Sequence, residues 1–536
     1  MTDAQGPRLG ELVPSRVSKE SHHTANTSDD SLEKPKWVDT PTPSQSINSE
    51  DFRKDMDLDV EKNQAEATTS DEPVDPNVIN WKGPDDPENP LNWPAGKRWG
   101  IVCMMSAVTF LTPLGSSMFA PGVPDLMDEF NSDNKQLATF VLSVYVLGFA
   151  FGPLIIAPLS EMYGRLPLYH ISNLGFIIFN IACAVSSNLD MLIAFRFLAG
   201  AMGAAPLTLG GGTIADLISK EQRSIAMAIW VAGPAIGPSV GPVAGGFVSQ
   251  ELGWRWNFWL VTIASGALSI AMLFVMKETY SVTLLERKAA KLRKETGNPL
   301  IRSKLDLQLT PRELLLRTIV RPTKMLFKSP IVFTISLYMA ISYAYLYILF
   351  TTFTKAFEEQ YNIGRDLVGL CFVGIGVGQV IGQFHFGYMG NRTATKHIKL
   401  GDFKPEHRLP EMIPGAIALP IGLFFYAWTI ENKVHWIAPI IGSSIFGYGI
   451  VLIFMPANTY LIDAFTLYAA SAMAANTVFR SIVAAILPLC GLSLYDALGY
   501  GWGTSLLGFI ATVMIPIPLI FLKYGEMIRT RWQVEL

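Results

Sequence analysis

The sequence has little charge for its length. Of 536 residues, only 16% are Asp, Glu, Lys or Arg, whereas 50% are hydrophobic; a soluble protein carries about 25% charged residues. The shortage lies beyond residue 98, because the first 98 residues hold 20 acidic and 11 basic side chains. This distribution predicts a polytopic membrane protein rather than one with a large soluble core. The net charge of −3 does not indicate a nucleic-acid partner.

Cysteine is also scarce, and several functional patterns are missing. The four cysteines lie in apolar stretches without disulfide or metal-ligand spacing, so we expect them to be small packing residues. No charged, apolar and cleavable leader opens the chain, which argues against a signal peptide. The spans contain no HExxH pair or nucleophile with a base, and no GxxxxGK[ST] motif occurs, which argues against an enzyme or an ATP-driven pump. We expect no metal or cofactor.

Long apolar runs fill the rest of the chain. Each of twelve is long enough for a hydrocarbon core that needs about 20 residues. They cover residues 99–120, 137–159, 167–187, 190–215, 225–248, 256–276, 331–354, 367–388, 412–430, 435–460, 471–494 and 502–522. The sequence therefore predicts an all-α membrane protein, embedded in the lipid bilayer.

Polar segments flank and divide these spans. Residues 1–98, rich in Ser, Thr, Asp, Glu and Pro, are predicted to form a disordered acidic tail. Residues 277–330 form a linker between bundles of six spans, 99–276 and 331–522, and residues 523–536 form a short tail. Lys and Arg collect in the tail, the linker and the alternate loops on the same side, so both termini are predicted to be cytoplasmic.

Two segments repeat between the halves. "GFAFGPLIIAPLSEMYGR" and "GIGVGQVIGQFHFGYMGNR" place three glycines at the same spacing, and a second alignment places Asp216 on Asp463. The glycines are Gly148, Gly152 and Gly164 in the first half and Gly374, Gly378 and Gly390 in the second. The matches indicate that the two halves are related repeats.

The fifth span contains the unusual stretch "WVAGPAIGPSVGPVAGG". Its glycines recur every four residues and therefore share one helix face, which permits close approach of a neighbouring helix. We interpret this face as the contact at which the two halves meet and re-pack. The motif residues are Gly233, Pro234, Gly237, Pro238, Gly241, Pro242, Gly245 and Gly246.

A tight loop joins the second and third spans. In "GPLIIAPLSEMYGRLP", Glu161 and Arg165 are one helical turn apart and Gly164 permits a sharp connection. The simpler interpretation is that these are the basic loop residues usual between membrane spans. The more specific interpretation is that the loop forms a cytoplasmic latch. The candidate latch residues are Gly152, Glu161, Gly164, Arg165, Asp216 and Asp463.

Charges inside spans are the candidates for function. Arg196 lies in the fourth span and Arg480 about ten residues into the eleventh, with Asn476 one turn earlier. Such charges usually face a cavity or a partner. His385, near the inner end of the eighth span, fits a packed core residue or a proton carrier. No acid lies at mid-membrane depth. Further candidate cavity residues are Tyr145, Tyr345, Tyr347 and Phe350.

These motifs together resemble the major facilitator superfamily, specifically its fungal twelve-span drug:proton antiporter branch. The resemblance covers residues 85–530. It is carried by "GPLIIAPLSEMYGR", "RFLAGAMGAAP", "GPAIGPSVGPVAGG", "LTPLGSSMFAPGVPDL", "DPENPLNWPAGKRW", "WRWNFW", "KETYSVTLLERKA" and "YLIDAFTLYAASAMAANTVFRS". Two features depart from the family pattern: Glu161 stands where many members have aspartate, and Leu166 and Pro167 replace basic residues.

The resemblance implies two six-helix bundles around a cavity open to one side at a time. It implies a role for Arg196 in proton coupling and export of drugs, toxins, secondary metabolites or organic acids, driven by the proton gradient. The two arginines favour an anionic or neutral solute. We expect a monomer in the plasma membrane, with the vacuolar membrane as the alternative. An uptake carrier or uniporter is the second hypothesis, and a non-transporting sensor a distant third.

Overall fold

The computed structural model describes residues 77–83, 85–219, 222–305, 311–400, 402–465 and 468–532. Most of the predicted acidic tail, residues 1–76, lies outside these residues. The described chain is almost wholly helical, with one pair of two-residue strands, β1 (Val78–Ile79) and β2 (Arg302–Ser303). The twelve-span prediction can therefore be compared helix by helix.

Six long helices form the first half. We name them spans 1 to 6: Ala95–Ser117, Lys135–Tyr163, Arg165–Ala184, Leu189–Leu217, Arg223–Leu252 and Arg255–Val275. A short helix, Val123–Glu129, follows span 1. The linker contains helices Ser281–Thr296 and Pro311–Lys328.

The second half repeats this plan. Spans 7 to 10 are Pro330–Tyr361, Arg365–His385 (two helices, Arg365–Cys371 and Val373–His385), Met412–Glu431 and Ile437–Ala464. A π-helical turn, Phe386–Gly390, a helix, Asn391–Leu400, and a 3₁₀ turn, Pro405–Glu411, connect spans 8 and 9. The chain ends in helices Ala469–Ile486, Gly491–Met514 and Pro516–Arg531.

By length and composition, the described residues contain eleven stretches suited to crossing a membrane, the last being Ala469–Arg531 with 63 residues. At 1.5 Å per residue that stretch would be about 95 Å long, three times the hydrocarbon thickness. Gly499 interrupts it with non-helical dihedrals (φ 73°, ψ 174°). It therefore makes two crossings, span 11 before Gly499 and span 12 after it. The predicted all-α architecture of twelve spans in two bundles is confirmed.

Side-chain caps explain where several spans begin. The Asn134 side chain accepts hydrogen bonds from the first amides of span 2, and Asn188 does the same for span 4. Ser329 caps span 7. These caps satisfy amides that have no partner within the helix. Span 2 ends at Gly164, whose φ of 97° permits a turn of a single residue into span 3.

The repeated glycines perform the same packing role in both halves. A Cβ on Gly148 would clash with the backbone of span 4 at Phe197 O, 2.6 Å away. A Cβ on Gly374 would approach the backbone of span 10 at Ile440 O to 2.5 Å. In each half the second helix therefore lies backbone to backbone against the fourth, which supports the internal repeat.

The structured part of the chain begins earlier than the sequence analysis placed it. Residues 77–98, assigned to the disordered tail, contain β1, a 3₁₀ turn and the start of span 1. Strand β1 pairs in parallel with β2 of the linker, and Lys288 forms ion pairs with Asp86 and Glu88. The tail prediction failed here because composition does not register a partner segment 200 residues away. At the other end, the final helix continues to Arg531, into the predicted tail 523–536.

The connections lie on two sides of the bundles. The linker side carries residues 77–94, the linker and the end of span 12. The far side carries the turns that follow spans 1, 3, 5, 7, 9 and 11. The assignment of the linker side to the cytoplasm stays a prediction.

Candidate functional site between the two bundles

The glycine row of span 5 lies against span 1 of its own bundle. A Cβ on Gly233 would approach Ser106 O to 2.8 Å, and one on Gly237 would approach Phe110 O to 2.9 Å. Gly241 and Gly245 continue the row against Leu114 and Met118. The interpretation of this row as the contact between halves is therefore wrong. Helical periodicity identifies a face that permits close approach, but it does not identify the neighbour.

A different face of span 5 meets the second half. Ser239 Oγ donates a hydrogen bond to Gln379 Oε1 of span 8 at 2.7 Å, and both side chains are buried. Nearer the far side, a Cβ on Gly369 of span 8 would lie 2.6 Å from Pro242 O and 3.4 Å from Gly246. We call this contact the span 5–8 seam. Of the motif residues, Pro242 and Gly246 thus contribute to the contact between bundles.

An ion pair joins the bundles at the far side. Asp496, at the end of span 11, forms an ion pair with Lys135 at the start of span 2. Within the second bundle, Lys355 of span 7 also contacts Asp496, at 3.0 Å. These side chains are partly exposed, so each pair contributes only modest stability. The Lys135–Asp496 pair and the span 5–8 seam hold the bundles against each other at the far side.

Arg196 is enclosed within the first bundle. Its side chain is 1% exposed, and its guanidinium donates to the carbonyl oxygens of Val141 (2.6 Å) and Ser116 (3.0 Å). The rings of Phe119, Tyr145 and Phe258 lie 5.0 to 5.6 Å from it. The charge is therefore satisfied by carbonyl dipoles and ring faces from spans 1, 2 and 6.

Arg480 has a different environment. Its guanidinium lies 4.8 Å from the Tyr343 ring and 5.2 Å from the Phe454 ring. In the described part of the chain its buried Nε has no hydrogen-bond partner and no carboxylate pairs with it. One turn away, Asn476 donates to Asn458 Oδ1 at 3.3 Å and its own buried Oδ1 has no described partner. Arg480 therefore retains donors that a ligand could use.

A hydrogen bond between bundles lies between the two arginines. The hydroxyl oxygens of Ser116 (span 1) and Tyr347 (span 7) are 3.1 Å apart, and both residues are buried. The backbone carbonyl oxygen of Ser116 also accepts a hydrogen bond from Arg196. The Tyr347 ring packs against the Tyr343 ring, and the Tyr343 ring faces Arg480. The other predicted cavity residues, Tyr345 and Phe350, are buried in span 7. The structure thus connects Tyr145, Arg196, Tyr347 and Arg480 through direct contacts.

The predicted latch residues meet on the linker side. Arg165 Nε donates to Asp216 Oδ2 at 2.6 Å, and the Arg165 guanidinium lies 4.9 Å from the Tyr280 ring. Burial raises the pKa of Tyr280 to about 12, so its ring is neutral at physiological pH. Gly152 packs against span 4 at Ala204, 2.9 Å from an added Cβ, and is thus a helix-packing residue. Besides burial, the charge of Glu161 contributes to the raised pKa of Tyr280.

Sequence reasoning missed Glu278, which completes this junction. Its carboxylate accepts from the backbone amides of Arg165 (3.1 Å) and Leu166 (3.2 Å), and also from those of Thr279 and Tyr280. A carboxylate at a helix N-terminus satisfies free amides and the helix dipole. The signal available was an acid placed directly after span 6.

The second half has an equivalent latch. Arg408 Nε, in the turn before span 9, donates to Asp463 Oδ2 at the end of span 10, at 2.8 Å. Arg165 and Asp216 occupy the corresponding places at the start of span 3 and at the end of span 4. The alignment of Asp216 with Asp463 therefore corresponds to matching ion pairs, although the sequence analysis did not find Arg408.

His385 has two partners that sequence reasoning also missed. Its Nε2 lies 3.2 Å from Glu411 Oε2, and its Nδ1 lies 2.8 Å from the Tyr448 hydroxyl. Glu411 is buried, with its side chain 10% exposed. Among the described residues no group of three or more His, Cys, Asp or Glu could hold a metal ion.

Comparisons with known proteins agree with this architecture. The family model "Major Facilitator Superfamily" matches residues 105–488. The chain is 55% identical to "MFS-type transporter penM" of Penicillium rubens over 85% of this chain and 90% of that protein. It is 51% identical to "Efflux pump radE" of Floropilus chiversii over 87% of this chain and 88% of that protein.

A solved structure has the same fold. The partially occluded, inward-open xylose transporter XylE from E. coli superposes with a TM-score of 0.58 at 16% identity, over 80% of this chain and 98% of that chain. This identity supports the fold alone. With the family match and the fungal relatives, it places the chain in the Major Facilitator Superfamily, in the fungal efflux branch, as a multi-pass membrane transporter of small molecules and not an enzyme.

Proposed function

We propose that the chain is a proton-coupled exporter of small organic compounds that works as a monomer in the plasma membrane. The name of the relative "Efflux pump radE", at 51% identity, supports export. The glycine and proline row of span 5, read through the family resemblance, supports the same direction. Proton coupling is consistent with the absence of any nucleotide-binding motif in the sequence.

The contacts between bundles support alternating access. The Lys135–Asp496 ion pair and the Ser116–Tyr347 hydrogen bond join the bundles on the far side and in the centre. Opening the far side requires these contacts to break while the span 5–8 seam re-packs. Small residues at the seam favour such movement, since few interlocking side chains must be separated.

The substrate class follows from Arg480, and this residue is the observation that carries the proposal. Its guanidinium is half-buried between two ring faces, with an unpartnered Nε and no carboxylate among its described contacts. A desolvated cation of this kind favours a carboxylate, phenolate or other oxygen acceptor. Asn476, one turn away, adds an unpartnered amide oxygen. We propose organic acids and acceptor-rich neutral compounds as substrates.

An export assay with two dyes tests this substrate class. Cells expressing the protein are loaded with lucifer yellow, an organic anion, or with ethidium, a cation. Wild-type cells should lose lucifer yellow faster than cells lacking the protein. Arg480→Ala should abolish this difference. Arg480→Lys should retain part of it, because lysine supplies the positive charge but not the planar guanidinium group. Lys291→Ala, at a position 78% exposed, is the control for removal of a basic residue.

The same two dyes distinguish the alternatives. An uptake carrier would increase the entry of external dye, whereas an exporter would reduce retention of internal dye. A sensor would change neither dye's movement in liposomes containing only the purified protein. Efficient ethidium export that is unchanged in both Arg480 variants would contradict the anion preference.

A further inference from the structure

The second half contains a polar cluster apart from Arg480. His385, at the last position of span 8, bridges Glu411, directly before span 9, and Tyr448 in the middle of span 10. Thr393, in the connection between spans 8 and 9, donates to the other carboxylate oxygen, Glu411 Oε1, at 3.4 Å. Spans 8 and 10 and the connection between spans 8 and 9 therefore contribute to one chain of hydrogen bonds, Thr393–Glu411–His385–Tyr448.

The backbone around this cluster is specialised. Directly after His385 the helix widens into the π-helical turn Phe386–Gly390, a rare conformation that is frequent at functional sites. Gly382, one turn before His385, permits close packing of spans 8 and 10, because an added Cβ would lie 3.0 Å from Tyr448 O. Local geometry thus fixes both His385 and Tyr448.

The other charged groups nearby contact residues outside this cluster. Arg392, next to Thr393, stacks over the Tyr388 ring at 4.8 Å. In the turn before span 9, Glu406 contacts Arg529 and Arg408 contacts Asp463. Within the described chain, the titratable groups in contact with His385 are therefore Glu411 and Tyr448.

This cluster can accept one proton without losing a hydrogen bond. With Glu411 ionised and His385 neutral, Nε2–H donates to the carboxylate and the Tyr448 hydroxyl donates to Nδ1. When Nδ1 takes up a proton, it donates to the Tyr448 oxygen instead, and the hydroxyl rotates from donor to acceptor. The cluster then changes from a net charge of −1 to zero. Both ring nitrogens of His385 are hydrogen-bonded in each state, so burial does not exclude either one.

We propose that Glu411, His385 and Tyr448 form the proton-binding site of this transporter, a role that depends on the proton coupling given under "Proposed function". Proton uptake removes the net negative charge of this partly buried cluster and so lowers its desolvation cost when spans 8 to 10 move. Protonation therefore favours movement of spans 8 to 10 relative to their surroundings. The site lies on spans 8 to 10, whereas Arg480 lies on span 11, so proton and substrate bind to different helices of one bundle.

Proton binding is tested directly by nuclear magnetic resonance of the purified full-length protein in nanodiscs, with isotope-labelled histidine. The chain has seven histidines, and His385→Gln identifies the signal by its loss. In the wild type, the His385 signal should report proton uptake as the pH is lowered across the range in which the protein stays folded. Glu411→Gln should shift this transition to lower pH, because the anion that stabilises imidazolium is removed. A His385 signal that is constant over this range, or unaffected by Glu411→Gln, overturns the proposal.

Transport in liposomes supplies the second measurement, with lucifer yellow as the probe. Exchange at equal pH needs no net proton movement, whereas uphill accumulation requires a pH gradient. His385→Gln and Glu411→Gln should keep exchange and lose accumulation, and Tyr448→Phe should move the pH dependence. His170→Gln, on span 3 of the other half, is the matched control and should keep both. Wild-type accumulation in His385→Gln contradicts the proton site. Absence of wild-type exchange contradicts the proposed function instead, and leaves the resonance result to decide the site.

Discussion

The two halves share a fold but differ in the hydrogen-bond partners of the charged side chains inside them. Both place a glycine of the second helix against the fourth, and both have an Arg–Asp pair at the linker side. In the first half, Arg196 donates hydrogen bonds to two carbonyl oxygens and is fully buried. In the second, Arg480 retains an unpartnered Nε, and His385 lies in a chain of titratable groups. The difference indicates that the first half supplies structure and the second supplies binding chemistry.

Replacement of the two arginines should produce the largest contrast. Arg196→Met removes the hydrogen bonds to the Val141 and Ser116 carbonyl oxygens and the contacts with three rings, so we expect a loss of about 2–4 kcal/mol in stability together with loss of transport. Arg480→Met removes a desolvated charge and should leave stability unchanged or raised while abolishing lucifer yellow export. Thermal unfolding in detergent and the export assay measure both effects. Equal destabilisation by the two variants would remove the distinction between halves.

The packing of span 5 against span 1 predicts the next effect. Gly245→Ala would place a Cβ against Met118 O, so the two helices must separate and transport should be lost. Gly266→Ala, on span 6, meets nothing within 4 Å and should behave as the wild type. Gly237→Leu should also abolish transport, because the side chain enters the backbone of span 1 rather than the contact between bundles. Transport by Gly245→Ala at the wild-type rate would show that this contact is dispensable.

The two latches should respond alike. Asp216→Asn and Asp463→Asn each remove the charge from a partly buried ion pair that occupies the equivalent place in its half. We expect each variant to insert into the membrane but to transport several-fold more slowly. This corresponds to about 1 kcal/mol in activation free energy. Rates and surface abundance are measured together. A large effect in one half only would show that the latches are not equivalent.

The smallest effect concerns the segment before span 1. Hydrogen bonds from the Lys82 and Glu88 amides, with Lys288 nearby, lower the pKa of Asp86. A lowered folded-state pKa contributes stability above the ordinary value near 4, and this contribution is lost as pH falls through the folded-state pKa. Proteolysis near residue 80 should therefore increase below pH 4, and in Asp86→Asn it should already be increased at neutral pH. Identical cleavage of variant and wild type at neutral pH would contradict this role.

Sequence patterns predicted the spans, the repeat and the deep arginines because each depends on local composition. Apolar length identifies a span, and an unaccompanied Arg480 inside one is visible without a structure. The neighbour of a helix face is not local. The glycine row was therefore found correctly, but its partner, span 1, was not.

The missed residues have a common cause. Glu411 is one residue before the predicted ninth span, where apolar length gives no signal for it, although the structure brings it to His385. Tyr448 looks like an ordinary aromatic residue of the tenth span. Glu278 follows the sixth span and contacts the start of the third. Each acquires its role from a residue distant in sequence, which a pass along one chain does not detect.

The central claim is that the far-side contact between bundles opens and closes under control of protonation in the second half. It is tested most directly by the distance between spin labels at Gln136→Cys and Ala497→Cys, both exposed beside the Lys135–Asp496 pair, after the four native cysteines are replaced by serine. The account predicts two distance populations whose proportions change with pH in the wild type but not in His385→Gln. A single distance at every pH, or an unchanged pH response in His385→Gln, would contradict it.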